Sequence, residues 1–168
     1  MYWRDDLALP PISPPESAAS RNQPGAMKKP RENGKANLQV GALPLRRTAA
    51  GSWEILLVTT RSTKRWTVPK GWPIKKLKAH DAAAREAHEE AGAIGRVKKK
   101  AVGRYLYWKR MEAEFRLCKV RLYPLHVTEQ VARWPEEAQR LRHWFSLQDA
   151  ADLVEEPGLR KVLATLKL

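Results

Sequence analysis

Three carboxylates recur in one short stretch, Arg85-Glu86-Ala87-His88-Glu89-Glu90, at positions i, i+3 and i+4. A helix turns about 100° per residue, so this spacing brings Glu86, Glu89 and Glu90 onto one face and leaves Ala84, Ala87 and Ala91 on the other. Like charges so placed destabilise a helix by about a few tenths of a kcal/mol per pair, so nothing local favours the cluster. A hard divalent cation would. Magnesium takes oxygen ligands from a few carboxylates, keeps several waters and bridges to phosphate oxygens. Such an ion polarises a phosphoryl group while a neighbouring carboxylate takes a proton from the attacking water. His88 points about 100° around the helix from Glu89, which excludes it from that chemistry. The competing reading is a solvated acidic face paired with Arg85 and nearby lysines.

The setting of the trio decides between these readings. Gly71 is followed after five residues by Leu77, and seven residues later by Arg85-Glu86-Ala87-His88-Glu89-Glu90-Ala91-Gly92-Ala93. This arrangement resembles the Nudix signature, a glycine, five residues, a glutamate, seven residues and then R-E-U-x-E-E-x-G-U, where U is a bulky aliphatic residue. Gly71, Arg85, Glu86, Glu89, Glu90 and Gly92 fall on their positions, Ala87 and Ala93 are small for theirs, and Leu77 stands where the first glutamate belongs. The resemblance implies an α+β Nudix fold, an α/β/α sandwich with a mixed central sheet, and metal-dependent hydrolysis of a pyrophosphate bond. It makes Glu86 and Glu90 metal ligands and Glu89 the water-activating base, with the Gly71 carbonyl near the ion and Arg85 orienting the carboxylates. Other Nudix families give the base role to the position of Glu86. The implied cofactor is magnesium, with manganese as the alternative.

The resemblance covers roughly residues 38 to 166. Glu54-Ile-Leu-Leu-Val, Arg65-Trp66-Thr-Val-Pro and Arg142-His-Trp-Phe-Ser-Leu-Gln-Asp-Ala are similar to segments of the diphosphoinositol polyphosphate phosphohydrolases, which also act on diadenosine polyphosphates. In the family the first box glutamate mainly supports its loop. Its replacement by Leu77 motivates a rival reading, a non-catalytic binding module that senses a phosphorylated metabolite. Glu112, Glu114, Glu136 and Glu137 are the candidates for an acid that takes its place.

Basic residues flank the box on both sides. Arg61, Lys64, Arg65 and Lys70 precede it, and Lys75, Lys76 and Lys78 follow Gly71. Arginine forks and lysine point charges suit a phosphate chain, so Arg46, Arg61, Lys64, Arg65 and Lys70 are candidate substrate contacts, with Trp72 lining the pocket. Lys109, Arg110, Arg140 and Arg142 are further candidates. The net charge is +14. Only +2 of it falls in residues 1–36, so the folded part is the basic part and its partner is a polyanion. Composition alone fits a small polyphosphorylated substrate, nucleic acid or an anionic membrane surface, or a merely soluble basic surface; the flanking lysines and arginines favour the small substrate, with an RNA 5′ end as the alternative.

The elements that must position these groups follow from pattern and punctuation. Residues 1–36 hold six of the twelve prolines and no periodicity, and read as a disordered tail ahead of a Nudix domain over 37–168; Met27 could be the true start. Strands are expected over Leu38–Leu45, Trp53–Thr60 and Trp66–Val68, then Gly95–Lys109, Ala113–Val127 and Arg142–Phe145. In the strand over Ala113–Val127, Phe115 and Leu117 alternate in one phase and Val120 and Leu122 in the other, which signals a bulge or full burial. The spacing predicts a helix over Lys78–Ala91 closed by Gly92, one capped by Ser146 through Leu153, and one beginning at Pro157. Trp66, Trp108 and Trp144 are expected in core or sheet packing, and Cys118 buried and inert. A lone cysteine forms no internal disulfide, the first residues lack a signal peptide's pattern, and no apolar run reaches the roughly 18 residues of a membrane span. The expectation is a cytoplasmic protein with no membrane contact and no obligate protein partner.

Overall fold

The computed structural model describes residues 36–168. The proline-rich tail and Met27 therefore lie outside the described residues, Ala36 excepted. The sheet is built around β1 (Asn37–Arg47), whose seven consecutive buried residues, Gln39 to Leu45, mark a strand covered on both faces. Antiparallel to it runs β2 (Trp53–Thr59), joined through a turn in which Gly51 takes φ +83°, a conformation costly to any residue with a Cβ. The short strands β3 (Trp66–Thr67) and β4 (Lys70–Gly71) pair with β2 and β1 respectively, and Pro69 separates them.

Helix α1 (Ala79–Ala91) follows, then β5 (Ala93–Val97), β6 (Gly103–Arg110), β7 (Phe115–Gln130) and β8 (Arg142–Ser146), with α2 (Leu147–Leu153) and α3 (Pro157–Ala164) at the end. The path β3-β2-β1-β7-β5 is extended by β8 on β2 and β6 on β7, and it is mixed because β1 and β7 are parallel while the other pairs are antiparallel.

Two apolar clusters sit on the two faces of this sheet. Val40, Ala42, Leu56, Val58 and Leu125 meet Ala82, Ala83, Ala87 and Ala91 of α1. Leu43, Leu45, Ile55, Leu57, Val120 and Leu122 meet Ala150, Ala151, Leu159 and Leu163 of α2 and α3. The layers are α/β/α, as the resemblance implies. Each fully buried leucine, isoleucine or valine stabilises the fold by about 1.5–3 kcal/mol. The alanines of α1 have a second use: their small size lets the helix axis approach the sheet, which brings its carboxylate face close to β4.

The helix termini are those the sequence indicates. Gly92 closes α1 at φ +62° and gives its N–H to the His88 carbonyl, Ser146 Oγ accepts from the Asp149 N–H, and Pro157 opens α3.

Two elements differ. Strand β4 has no counterpart among those expected, because the pattern stops the preceding strand at Pro69. The single strand expected over Gly95–Lys109 is two strands, β5 and β6, lying in succession along one edge of β7. Val97 pairs with Leu125 and Gly103 with Leu122, so Lys98–Val102 loops out opposite Tyr123 and Pro124. Pro124 has no N–H to give a neighbouring strand, and the adjacent Lys98, Lys99 and Lys100 are left exposed to water.

The phase change in β7 is neither a bulge nor full burial: pairing with β6 is regular from Phe115 to Leu122, Val120 and Leu122 face the core with exposed Arg121 between them, and Phe115 and Leu117 are apolar residues on the outer face; burial in succession begins only at Leu122. The register irregularity lies elsewhere, between Ile94 and Gly95 of β5. Cys118 is buried and free, as expected. Trp108 is a correction, since it is 52% exposed and packs in no core. Among the described residues no helix is long and apolar enough to cross a membrane.

Candidate functional site

Where α1 crosses β4, a glycine and a carboxylate share one space. A Cβ built on Gly71 would lie 2.1 Å from Glu86 Oε1 and 2.5 Å from Oε2. Glu86 is thus pressed against the bare backbone of β4, and only a residue without a side chain permits the approach. Gly71 is itself held by pairing with Val40 of β1, so this contact is fixed by the sheet.

The other two carboxylates of the trio have partners. Glu90 is 5% exposed and accepts from the Lys70 backbone N–H at 3.1 Å and from the guanidinium of Arg140. Glu89 accepts from Arg85 Nε at 2.6 Å, one turn earlier on the same helix. Glu86 has no hydrogen-bond or ion-pair partner among the described residues.

Its carboxyl is held up to about 7, first by burial and then by the charges of Glu90, Glu89 and Glu136. Burial also pushes Glu90 up, with Arg140 and Lys70 opposing it. Burial pulls the Lys70 ammonium down, although Glu90 and Glu156 work against that; its Nζ reaches Thr67 Oγ1 at 3.3 Å.

The donor set suits a divalent ion. Its atoms are carboxylate oxygens with the β4 backbone beside them, the hard donors that magnesium and manganese prefer. Glu86 is partly desolvated, unpaired and surrounded by like charges, a state that a cation relieves. Among the described residues no three His, Cys, Asp or Glu side chains stand close enough to hold an ion together. An all-protein cage is therefore not present, whereas an ion that uses one or two carboxylates and keeps its waters fits.

The acid candidates outside the box separate by position. Glu136 bonds Arg140 Nε at 2.5 Å, pairs with Arg61 at 3.0 Å, and gives its backbone N–H to the Glu89 carbonyl. It alone of the four faces the trio. Glu137 pairs with Arg133, Glu114 with Arg116, and Glu112 lies in the β6–β7 turn. Sequence spacing left these four unranked because the loop that carries Glu136 docks on α1 through tertiary contacts alone. Two more polar groups near Lys70 were not foreseen: Gln39, buried and accepting from Tyr107 Oη at 2.7 Å, and Glu156, whose Oε2 is buried without a partner.

The basic candidates divide as well. Lys70 sits at the site through its backbone bond to Glu90, and Trp72 adjoins Gly71, 39% exposed, with Lys109 Nζ 4.9 Å from its ring. Arg61 reaches the site through Glu136. Arg65 pairs with Glu155 at 2.8 Å, and Lys64 gives Nζ to the Gln139 carbonyl, both at the margin. Arg46 is not brought in: it pairs with Glu54 and stacks on Trp144, about 17 Å along β1 from Val40 and Gly41. Arg140 is a structural ion-pair partner, 9% exposed. Arg142 donates to the Ala91 and Val131 carbonyls and lies over Trp134, which ties the end of α1 to the following loop. Leu77 precedes α1 by two residues and lines a groove with Leu38, Val40 and Ile74.

A family model described as NUDIX domain matches residues 35–166. Among curated proteins, "Nudix hydrolase 21, chloroplastic" of Arabidopsis thaliana is 32% identical over 128 residues, covering 74% of this chain and 63% of that protein. "Diphosphoinositol polyphosphate phosphohydrolase 2" of Rattus norvegicus is 34% identical over 120 residues, covering 68% of this chain and 63% of that protein. The chain thus spans about 63% of the length of these relatives. Among solved structures, a C. elegans Ap4A hydrolase binary complex is similar in fold, with a TM-score of 0.58 at 22% identity over 77% of this chain and 93% of that one.

Proposed function

The chain belongs to the NUDIX family, and from that premise we propose that it is a metal-dependent hydrolase cleaving a pyrophosphate bond in a small polyphosphorylated substrate of the diadenosine polyphosphate or diphosphoinositol polyphosphate kind. The observation that carries this reading is the unpaired Glu86 carboxylate, seated on Gly71 among Glu89, Glu90 and Glu136.

In this reading Glu86, Glu90 and the Gly71 carbonyl hold magnesium, which supplies charge neutralisation on the phosphate oxygens. Glu89, positioned by Arg85, takes the proton from the attacking water, with Glu86 as the alternative base. The water oxygen bonds to phosphorus as the bridging P–O bond breaks, leaving two shorter phosphates. Lys70 and Arg61 meet the phosphate chain, Lys64 and Arg65 stand at its margin, and Trp72 lines the pocket. The overlap with the rat phosphohydrolase and the basic rim of the box both support a long phosphate chain. The single cysteine favours a reducing compartment, here the cytoplasm.

The test is a panel of diadenosine hexaphosphate, diphosphoinositol pentakisphosphate and a triphosphorylated RNA, each with magnesium, with products identified by mass spectrometry. The expected result is magnesium-dependent cleavage of the first two that is lost in Glu90→Gln. No turnover of any substrate overturns the enzyme reading, and preference for the RNA overturns the small-molecule assignment.

A further inference from the structure

The paired segments of the β6–β7 hairpin carry Arg104, Lys109, Arg110, Arg116, Lys119 and Arg121 and no acidic residue. Strand alternation sends Tyr105, Cys118, Val120 and Leu122 to the side packed by α3. The opposite side receives Arg104, Leu106, Trp108 and Arg110, facing Arg121, Lys119, Leu117 and Phe115 in register.

This is the face of the sheet that α1 covers over β1, β5 and the far end of β7. Beyond the helix the side chains stand in the open, with Leu106 and Trp108 each 52% exposed and Phe115 42%. Such a contiguous exposed apolar patch on one domain marks an interaction surface. The hairpin's two carboxylates, Glu112 and Glu114, lie in its turn, and Glu114 is taken by Arg116.

The occupant follows from charge and shape. A second copy of the chain meeting this face symmetrically would set arginine against arginine. A membrane would have to admit the guanidinium groups that alternate with Leu106 and Trp108 at the same height, since a flat strand pair offers no protruding apolar loop. A single nucleic-acid strand meets neither obstacle: its bases stack on exposed rings and its phosphates pair with the flanking cations. Trp108 faces Leu117, so Phe115 is its diagonal neighbour, about 7–8 Å away on the same face. That places two rings side by side between Arg110 at one end and Arg104 with Arg121 at the other.

We propose that this face of the β6–β7 hairpin is a docking surface for single-stranded nucleic acid, with Trp108 and Phe115 stacking on bases and Arg104, Arg110, Lys119 and Arg121 binding the backbone. The surface lies across β1 from the carboxylate site, Arg121 and Gly71 both pairing with Val40 from opposite sides, and the proposal stands whether or not that site hydrolyses a polyphosphate.

The experiment measures fluorescence anisotropy of a labelled single-stranded RNA bearing a 5′-hydroxyl, in EDTA so that the box takes no part, with the full chain. The expected result is saturable, salt-sensitive binding that weakens about fivefold or more in Trp108→Ala. It should weaken about tenfold or more in Arg104→Glu with Arg121→Glu, with a salt slope shallower by about two. Lys161→Glu with Lys167→Glu makes the same charge change on α3 and the residues after it, on the opposite face of the sheet, and should alter affinity less than about twofold. Thermal melts establish that each variant is folded. Absence of binding by the wild-type chain, equal weakening in both double variants, or Trp108-dependent binding to phosphatidylglycerol vesicles without RNA binding would each overturn the proposal.

Discussion

Arg140 reaches from the segment before β8 to Glu90 on α1, fifty residues earlier, and both side chains are buried, 7% and 6% exposed. The same guanidinium bonds Glu136 and gives Nη1 to the Thr59 carbonyl at 2.8 Å. One arginine therefore ties α1, β2 and the Glu136 loop together beneath the carboxylate cluster.

Removing one partner of such a pair leaves an uncompensated buried charge. Arg140→Met should destabilise the fold by about 3–5 kcal/mol, and adding Glu90→Gln should recover a large part of that loss. Urea unfolding of the two variants checks it. A single variant within about 1 kcal/mol of wild type would show that Glu90 has another partner.

The carboxyl of Glu86 makes metal-free stability depend on pH. Its folded value, about 7, is raised above the ordinary 4.5, so the proton is held more tightly in the folded chain. A raised group stabilises the fold below its unfolded pKa, and that contribution is lost as pH climbs through the folded value, here from about 4.5 to about 7. Glu86 is partly exposed and water screens it, which leaves on the order of 1 kcal/mol. In EDTA, the Tm of the wild type should fall between about pH 5 and about pH 8 by roughly 2–4 °C more than that of Glu86→Gln. Magnesium should raise the wild-type Tm more at the higher pH. Parallel pH profiles for the two proteins would remove Glu86 as the source.

Leu77 tests whether a missing box glutamate matters. It lies outside α1, two positions before Ala79, and its side chain lines a groove with Leu38, Val40 and Ile74. Leu77 is 43% exposed, so a carboxylate there can stay in water. Leu77→Glu should change kcat/KM by less than about twofold, since surface substitutions away from special features are usually worth within about 0.5 kcal/mol. A gain of tenfold or more, on the order of 1.4 kcal/mol, would mean that the loop acid tunes the site directly.

The sequence made the layers and the box legible because both rest on local signals. Helix α1 has alanine on one face, carboxylate on the other and Gly92 at its end, and β1 and β2 are apolar runs bounded by a glycine turn. The partners of the carboxylates were not legible. Arg46 and Arg140 look alike as basic residues near a strand, yet one bonds Glu54 across a neighbouring strand and the other is buried beneath Glu90. The deciding contact, Arg140 to Glu90, joins residues fifty positions apart, which no window of periodicity contains. Glu136 was unranked for the same reason, and the β5–β6 break depends on Pro124, about two dozen residues further along the chain.

The contact between Gly71 and Glu86 gives the most direct prediction about activity. Gly71→Ala would place a methyl group 2.1 Å from Glu86 Oε1 and 2.3 Å from the carboxyl carbon, closer than any non-bonded approach, so the carboxylate must move. The β4 backbone cannot yield in its place, because it is paired with Val40 and gives the Lys70 N–H to Glu90. Glu86 can yield, since it has no partner to lose, and the global fold should survive with a Tm close to wild type. A reacting group displaced by about 1 Å costs on the order of 100-fold in rate, and Gly71→Ala should lose about that much in kcat. The magnesium concentration for half-maximal activity should rise in parallel, because the displaced group is the proposed ligand. Steady-state kinetics over a magnesium titration, with the melt as the control for folding, read both effects. A variant with wild-type kcat and an unchanged magnesium requirement would separate Glu86 from the chemistry altogether.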